Sequence, residues 1–121
     1  MTGIALKRAY EPAARSDGRR ILVERLWPRG IKKEALEIEA WIKDVAPSTG
    51  LRKWFHHDPA RWNEFRRRYF AELDAHGNWR SLIEDSPRHL TLIYSSHDPE
   101  HNNAVALRDY LESKLKGRRG H

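Results

Sequence analysis

The segment Tyr94-Ser-Ser-His-Asp-Pro-Glu-His-Asn-Asn-Ala104 follows the most apolar run of the chain, Leu90–Tyr94. It sets four ionisable side chains, His97, Asp98, Glu100 and His101, beside the amides of Asn102 and Asn103. An imidazole titrates near neutrality, so His101 flanked by Asp98 and Glu100 forms the candidate catalytic set, with either carboxylate orienting the ring. Asn102 is a candidate for positioning a substrate, because an amide both donates and accepts. The second chemical corner is Glu24-Arg25-Leu26-Trp27-Pro28-Arg29-Gly30. Guanidinium forks at Arg25 and Arg29 match phosphate or carboxylate, and the Trp27 indole offers a stacking face. An equally plain reading makes Trp27 a core residue and pairs the arginines with local acids such as Glu24. Both stay open at this point.

The tripeptide His-Asp-Pro occurs twice, at His57-Asp58-Pro59 and His97-Asp98-Pro99. An aspartate caps a helix, and a proline suits its first position, where the N–H has no partner. Capping is the simpler account of Asp58. At Asp98 the neighbouring ionisable groups exceed what a cap needs. His57 and Asp58 join the expected ligand set if the middle helices fold over the sheet edge. His97 and His101 would share one helix face as metal ligands, but Pro99 at the helix start leaves His97 outside it. No metal and no cofactor are expected, since Walker, dinucleotide and Gly-x-Ser-x-Gly motifs are missing. Ser95 and Ser96 read as strand-ending residues before they read as nucleophiles.

These corners need strands and helices to hold them. Ile4–Tyr10 and Arg20–Trp27 read as strands, the second with an Ile21-Leu22-Val23 run that implies cover on both faces. Helical spacing runs through Lys32–Val45, and Ser48 caps a short helix over Leu51–Phe55. Asp58-Pro59 opens a helix with the stripe Trp62, Phe65, Tyr69, Leu73, ended by His76-Gly77. Asn78–Asp85 reads as a short helix, His89–Ser95 as a strand, and Pro99–Lys116 as a last helix ended by Gly117. Strands interspersed with amphipathic helices predict a small α/β fold. The expected form is a single three-layer-like domain over residues 1–116, with about three or four mostly parallel strands flanked by helices. Residues 117–121 read as a frayed basic tail. The connection of about ten residues between the first two strands is short for a parallel crossover, which predicts a hairpin there. Ligands of open α/β sheets bind beyond the carboxyl ends of strands, which is where both corners fall.

Composition bounds the rest. The 121 residues suit one domain that buries roughly two-thirds of its unfolded surface. With no cysteine, disulfides, thiolate metal sites and a cysteine nucleophile are excluded. No apolar run approaches the roughly 20 residues that span a bilayer, and the first residues lack a signal-peptide core, so a soluble cytoplasmic protein without membrane contact is expected. The net charge is +6 and the pI about 9.9, which favours anionic partners, a small anionic ligand or nucleic acid. That charge is spread: residues 1–60 carry 12 Lys/Arg against 8 acids, and residues 61–121 carry 11 against 9. A nucleic-acid binder more often concentrates it. Arg66-Arg67-Arg68 reads as the solvated face of its helix. A third class, a protein-interaction module with an exposed Trp/Phe patch, is also open.

Three long blocks carry a resemblance: RILVERLWPRG, WIKDVAPSTGLRKWFHHDPARWNEFRRRY and LTLIYSSHDPEHNNAVAL. In this order they resemble the YeaO-like branch of the domain-of-unknown-function group numbered 488, from about Ile4 to Leu111. The resemblance implies a compact bacterial α/β domain and brings no assigned activity with it. The signature positions it marks are Arg25, Trp27, Pro28, Arg29 and Gly30; Trp54, Phe55, His57, Asp58 and Pro59; and Asp98, His101 and Asn102. Other branches of the group show Cys-His-Arg where this chain has Glu100-His101-Asn102. His101 is then the common element, and a thiol-based activity does not carry over. The combined expectation is a pocket for a phosphate-bearing, nucleotide-like ligand. Arg25 and Arg29 would bind the anion, Trp27 would wall it, and His101 would be the acid/base group.

Overall fold

Four short apolar segments pair side by side with all their carboxyl ends at one edge. The computed structural model describes residues 3–76, 78–84 and 89–119, with the side chains of 84 and 117–119 excepted. Its strands are β1 (Ile4–Arg8), β2 (Arg19–Leu22), β3 (Ala40–Trp41) and β4 (Leu90–Tyr94), in the order β1-β4-β2-β3 and parallel throughout. Leu92 of β4 stands opposite Leu6 on one side and Ile21 on the other. The central strand β4 is buried at every position, which is why its sequence is nearly continuous in apolar residues.

Alternation along the strands sorts side chains into two layers. Leu90, Leu92 and Tyr94, with Ile21 and Val23, enter the larger core. They meet helices α2 (Thr49–Phe55), α3 (Trp62–His76) and α5 (Asn103–Arg119) there. Leu22 and Ile93 point the other way, to a smaller cluster with Ala9 and Leu36, flanked by Trp27, Ile31, Ile38 and Trp41. Helix α1 (Lys33–Leu36) contributes Leu36, and α4 (Ser81–Glu84) contributes Leu82 to the larger core. The α/β class and the three-layer-like arrangement match the sequence expectation.

The expected hairpin of the first two strands does not form: β4 lies between β1 and β2, parallel to both. The linking residues 9–18 hold only a 3₁₀ turn over Arg15–Asp17. Ten extended residues reach about 33 Å. That is enough to return along a strand of about 17 Å and step sideways by two strand spacings of about 4.8 Å. No crossover helix is needed. Gly18 closes this return at φ +64°, and a Cβ there would lie 2.3 Å from the His89 carbonyl oxygen. That same oxygen accepts from Arg19 N at 2.9 Å, so it is held in place. Gly18→Ala is expected to cost about 2 kcal/mol or more, from overpacking and backbone strain. Urea unfolding would check it, and an unchanged midpoint would contradict it.

The Lys32–Val45 pattern also departs from expectation. Only Lys33–Leu36 is α-helical; Glu37 ends it in the left-handed region (φ 52°), Ala40–Trp41 pairs with β2, and Lys43–Val45 is a 3₁₀ turn. The cause is burial on two sides. Ile38 and Trp41 pack in the smaller cluster, whereas Ile42 and Val45 pack in the larger one, a division that one helix face cannot make. The strand expected to reach Trp27 ends at Leu22, one further N–H, that of Val23, bonding Ile93 O at 3.3 Å. Asp58 caps as expected, its Oδ1 accepting from Ala60 N at 3.0 Å over a 3₁₀ turn that runs into α3. The last helix begins at Asn103 rather than Pro99 and continues past Gly117 to Arg119. The expected ends at Gly77 and Asp85, and the last two residues of the basic tail, lie outside the described residues. Among the described residues no helix is long and apolar enough to cross a membrane.

Candidate anion-binding cleft

Adjacent parallel strands β2 and β4 end at the same edge, and their following loops separate. Residues 23–30 leave β2 on one side, and residues 95–102 leave β4 on the other. Between them opens a cleft of about 380 Å³, walled also by Ala46-Pro47, by Arg52 and Phe55 of α2, and by His57. Its position is the one that the carboxyl ends of an open parallel sheet provide for ligands.

Three guanidinium groups line it: Arg25, Arg29 and Arg52. Arg25 is anchored, its Nε donating to Pro47 O at 2.8 Å. Arg29 and Arg52 are exposed. Among the described residues none of the three forms an ion pair, so the alternative in which Glu24 neutralises Arg25 and Arg29 is not what the chain adopts. Trp27 packs as the core reading has it and also borders the cleft. Its ring packs edge-on against Trp41 at 5.3 Å between centroids, its Nε1 donates to Ile31 O at 2.6 Å, and it still lines the cleft.

Glu24 is the residue whose role the sequence hid. It lines the cleft and accepts the Ser95 hydroxyl on Oε1 at 2.7 Å. Burial pushes its carboxyl above the usual range, although Ser95 and the charges of His57 and Arg52 pull against that. Arg52 gave no sequence signal, because its place depends on α2 packing across the end of β2.

His57 lines the cleft from a strained backbone. It and His56 are consecutive left-handed residues (φ 54° and 47°) that turn the chain between α2 and the Asp58 cap. Asn102 also lines the cleft, but its amide is committed: Oδ1 accepts Val105 N at 3.0 Å as the cap of α5, and Nδ2 donates to Asp98 O at 2.8 Å. Asn103 ties the start of α5 to the residue just after β2 through a 2.8 Å bond to Val23 O.

The expected catalytic set stands apart. Asp98 Oδ2 bonds His101 Nδ1 at 2.9 Å, and Asp98 Oδ1 accepts the N–H groups of Glu100 and His101 at 2.9 and 3.1 Å. Those bonds, Glu100 N first, hold the Asp98 carboxyl below its ordinary range. The His101 ring packs edge-on against Trp62, which stacks on Phe65 of the cleft wall. None of His101, Asp98, Glu100 or Asp58 is among the cleft-lining residues. The structure therefore brings Arg25, Trp27, Arg29, His57 and Asn102 together and sets the other four candidates outside that wall.

The basic run of α3 is locally paired. Glu64 accepts from both Arg67 and Arg68, which lowers its carboxyl to about 2, and Arg66 reaches Asp109 at 3.2 Å. Among the described residues no three His, Asp or Glu side chains converge as a metal site.

The fold and cleft together define a small parallel α/β domain with an arginine-lined crevice at the carboxyl edge of its central strands. This chain belongs to the family described as the inactive DUF488-N3 subclade, which it matches over residues 3–121. It is 46% identical over 112 residues to the uncharacterized protein YeaO of Escherichia coli (strain K12), covering 91% of this chain and 97% of that protein. Against the uncharacterized protein Rv3073c of Mycobacterium tuberculosis (strain ATCC 25618 / H37Rv) it is 49% identical over 72 residues, 60% of this chain and 61% of that protein. No solved structure gives a significant match.

Proposed function

We propose that this domain binds a small phosphate-bearing ligand in the cleft and acts by holding it. The carrying observation is the convergence of Arg25, Arg29 and Arg52 on one cavity with no ion pair to any of them among the described residues. Unpaired guanidinium forks in a partly enclosed space favour a multivalent oxyanion. The capped end of α5 at Asn102 and Asn103 adds the positive end of a helix dipole to the same wall. The family's description as inactive favours binding over turnover, and so does the separation of His101 from the cleft wall.

Calorimetric titration with inorganic phosphate and pyrophosphate, at low and high salt, tests this. Saturable one-site binding that persists in part at high salt is expected; binding of oligonucleotides alone, erased by salt, would replace it with the nucleic-acid alternative. His101→Ala separates holding from catalysis. Phosphate affinity is expected to change by no more than about threefold, below 1 kcal/mol. A tenfold loss would return His101 to the binding set.

A further inference from the structure

We propose that the ligand carries hydroxyl or amino groups beside its phosphate, and that Glu24 accepts a hydrogen bond from one of them. This rests on the anion-binding reading above and narrows it to a polyol phosphate, such as a sugar phosphate or a nucleotide that presents its ribose hydroxyls.

A cavity selected only for inorganic phosphate has no use for a carboxylate among its arginines, since like charge repels the ligand. Yet Glu24 lines the same cleft as Arg25, Arg29 and Arg52. It is not neutralised by salt-bridging, because among the described residues it forms no ion pair. A carboxylate offers about four acceptor positions. Ser95 addresses this one through its hydroxyl at 2.7 Å. That hydroxyl occupies one of those positions, and because Glu24 lines the cleft the others are left for a donor entering it. A ligand bearing O–H or N–H groups beside its phosphate answers a carboxylate and three guanidiniums together.

The mouth of the cleft points the same way. Leu26 and Tyr10, the exposed large apolar side chains among the described residues at 61% and 46%, both line it, beside Trp27. Tyr10 is fixed there by its hydroxyl, which donates to Arg29 O at 3.0 Å, and by Arg8 over its ring. A flat organic group extending from the phosphate would lie against this rim.

The test is calorimetry with three probes, inorganic phosphate, ribose 5-phosphate and adenosine 5′-monophosphate, on the unmodified protein, Glu24→Gln and Glu24→Met. Burial already disfavours the Glu24 charge, so both variants are expected to fold. The unmodified protein is expected to bind ribose 5-phosphate about tenfold or more tighter than inorganic phosphate. In Glu24→Met the two affinities should move in opposite directions. Inorganic phosphate tightens because a negative charge is gone, and ribose 5-phosphate weakens about tenfold because its acceptor is gone. Glu24→Gln should fall between, retaining a neutral acceptor. Tighter binding of the adenosine compound than of ribose 5-phosphate makes the source a nucleotide; equal binding makes it a sugar phosphate. A preference for ribose 5-phosphate that is lacking at the outset, or that survives in Glu24→Met, overturns the role of Glu24 while leaving the anion site standing. If no probe binds the unmodified protein, the anion site and this inference fall together.

Discussion

Asp17→Ala is expected to destabilise the domain by about 3–5 kcal/mol, because it leaves the buried Arg20 guanidinium without its counter-charge. Asp17 and Arg20 are only 7% and 6% exposed, and they meet at 2.6 Å. Lys7 closes on the same carboxylate at 2.9 Å, Ala14 N donates to it, and the Asp17 carbonyl accepts the buried Thr91 hydroxyl. Arg20 spends its other N–H groups on the carbonyls of Leu36 and Glu37. One aspartate thus fastens the β1–β2 connection, β1, β2, β4 and the segment after α1. Burial works to raise its carboxyl, but the bonds from Ala14, Lys7 and Arg20 outweigh burial and leave it below the ordinary value. The pH dependence follows from that direction. An unfolded aspartate takes up its proton near pH 3.9, before the folded one does. Stability is therefore present in full above that pH and is lost as pH falls through the lower folded value. Urea unfolding from pH 7 down to acid should show this loss in the unmodified protein and a flatter limb in Asp17→Asn. A change below about 1 kcal/mol in Asp17→Ala at pH 7 would mean that solvent reaches Arg20 and that the cluster is not a fastening.

Much of this architecture was legible in the chain. The apolar Leu90–Tyr94 run announced a buried strand, and the Ile21-Leu22-Val23 run announced cover on both faces. The cap at Asp58 and the stripe of α3 were local matters, and local chemistry gave them correctly. What failed were the non-local choices. Ile38, Trp41, Ile42 and Val45 have helical spacing, but pairing of Ala40–Trp41 with β2 overrides it. The hairpin expectation failed for the same reason: a ten-residue link is compatible with a hairpin and with a return across β4, and it is the pairing of β4 with both β1 and β2 that decides. At the cleft, the corner from Glu24 to Arg29 was visible because one loop contains it. Arg52 was invisible because tertiary packing delivers it. Within the polar segment after Tyr94 that was read as a site, Asp98 holds the turn and Asn102 caps α5, roles that turn and cap chemistry also predicts.

The double variant Arg29→Ala/Arg52→Ala is expected to lose roughly a hundredfold or more in phosphate affinity, since each charge-assisted hydrogen bond contributes about 1.5–3 kcal/mol. The two residues are the informative pair because both are exposed and neither makes a side-chain hydrogen bond to another described residue. Surface changes of that kind shift stability by only about 0.5 kcal/mol, so the loss must be read as binding. Arg25 behaves differently. Its Nε holds Pro47 O at 2.8 Å, so Arg25→Ala removes a ligand group and also leaves a partly buried carbonyl unpaired, at about 1–3 kcal/mol of stability. Affinity and stability should fall together there and separately in the other two. If all three arginines hold one anion, their effects need not add; a double-variant loss smaller than the sum of the single losses signals a shared phosphate. The triple change Arg66→Ala/Arg67→Ala/Arg68→Ala supplies the contrast. Those side chains are engaged by Glu64 and Asp109 away from the cleft, and phosphate affinity should survive their loss. If that triple variant abolishes phosphate binding while Arg29→Ala/Arg52→Ala retains it, the anion is held by the face of α3, and the cleft has some other use.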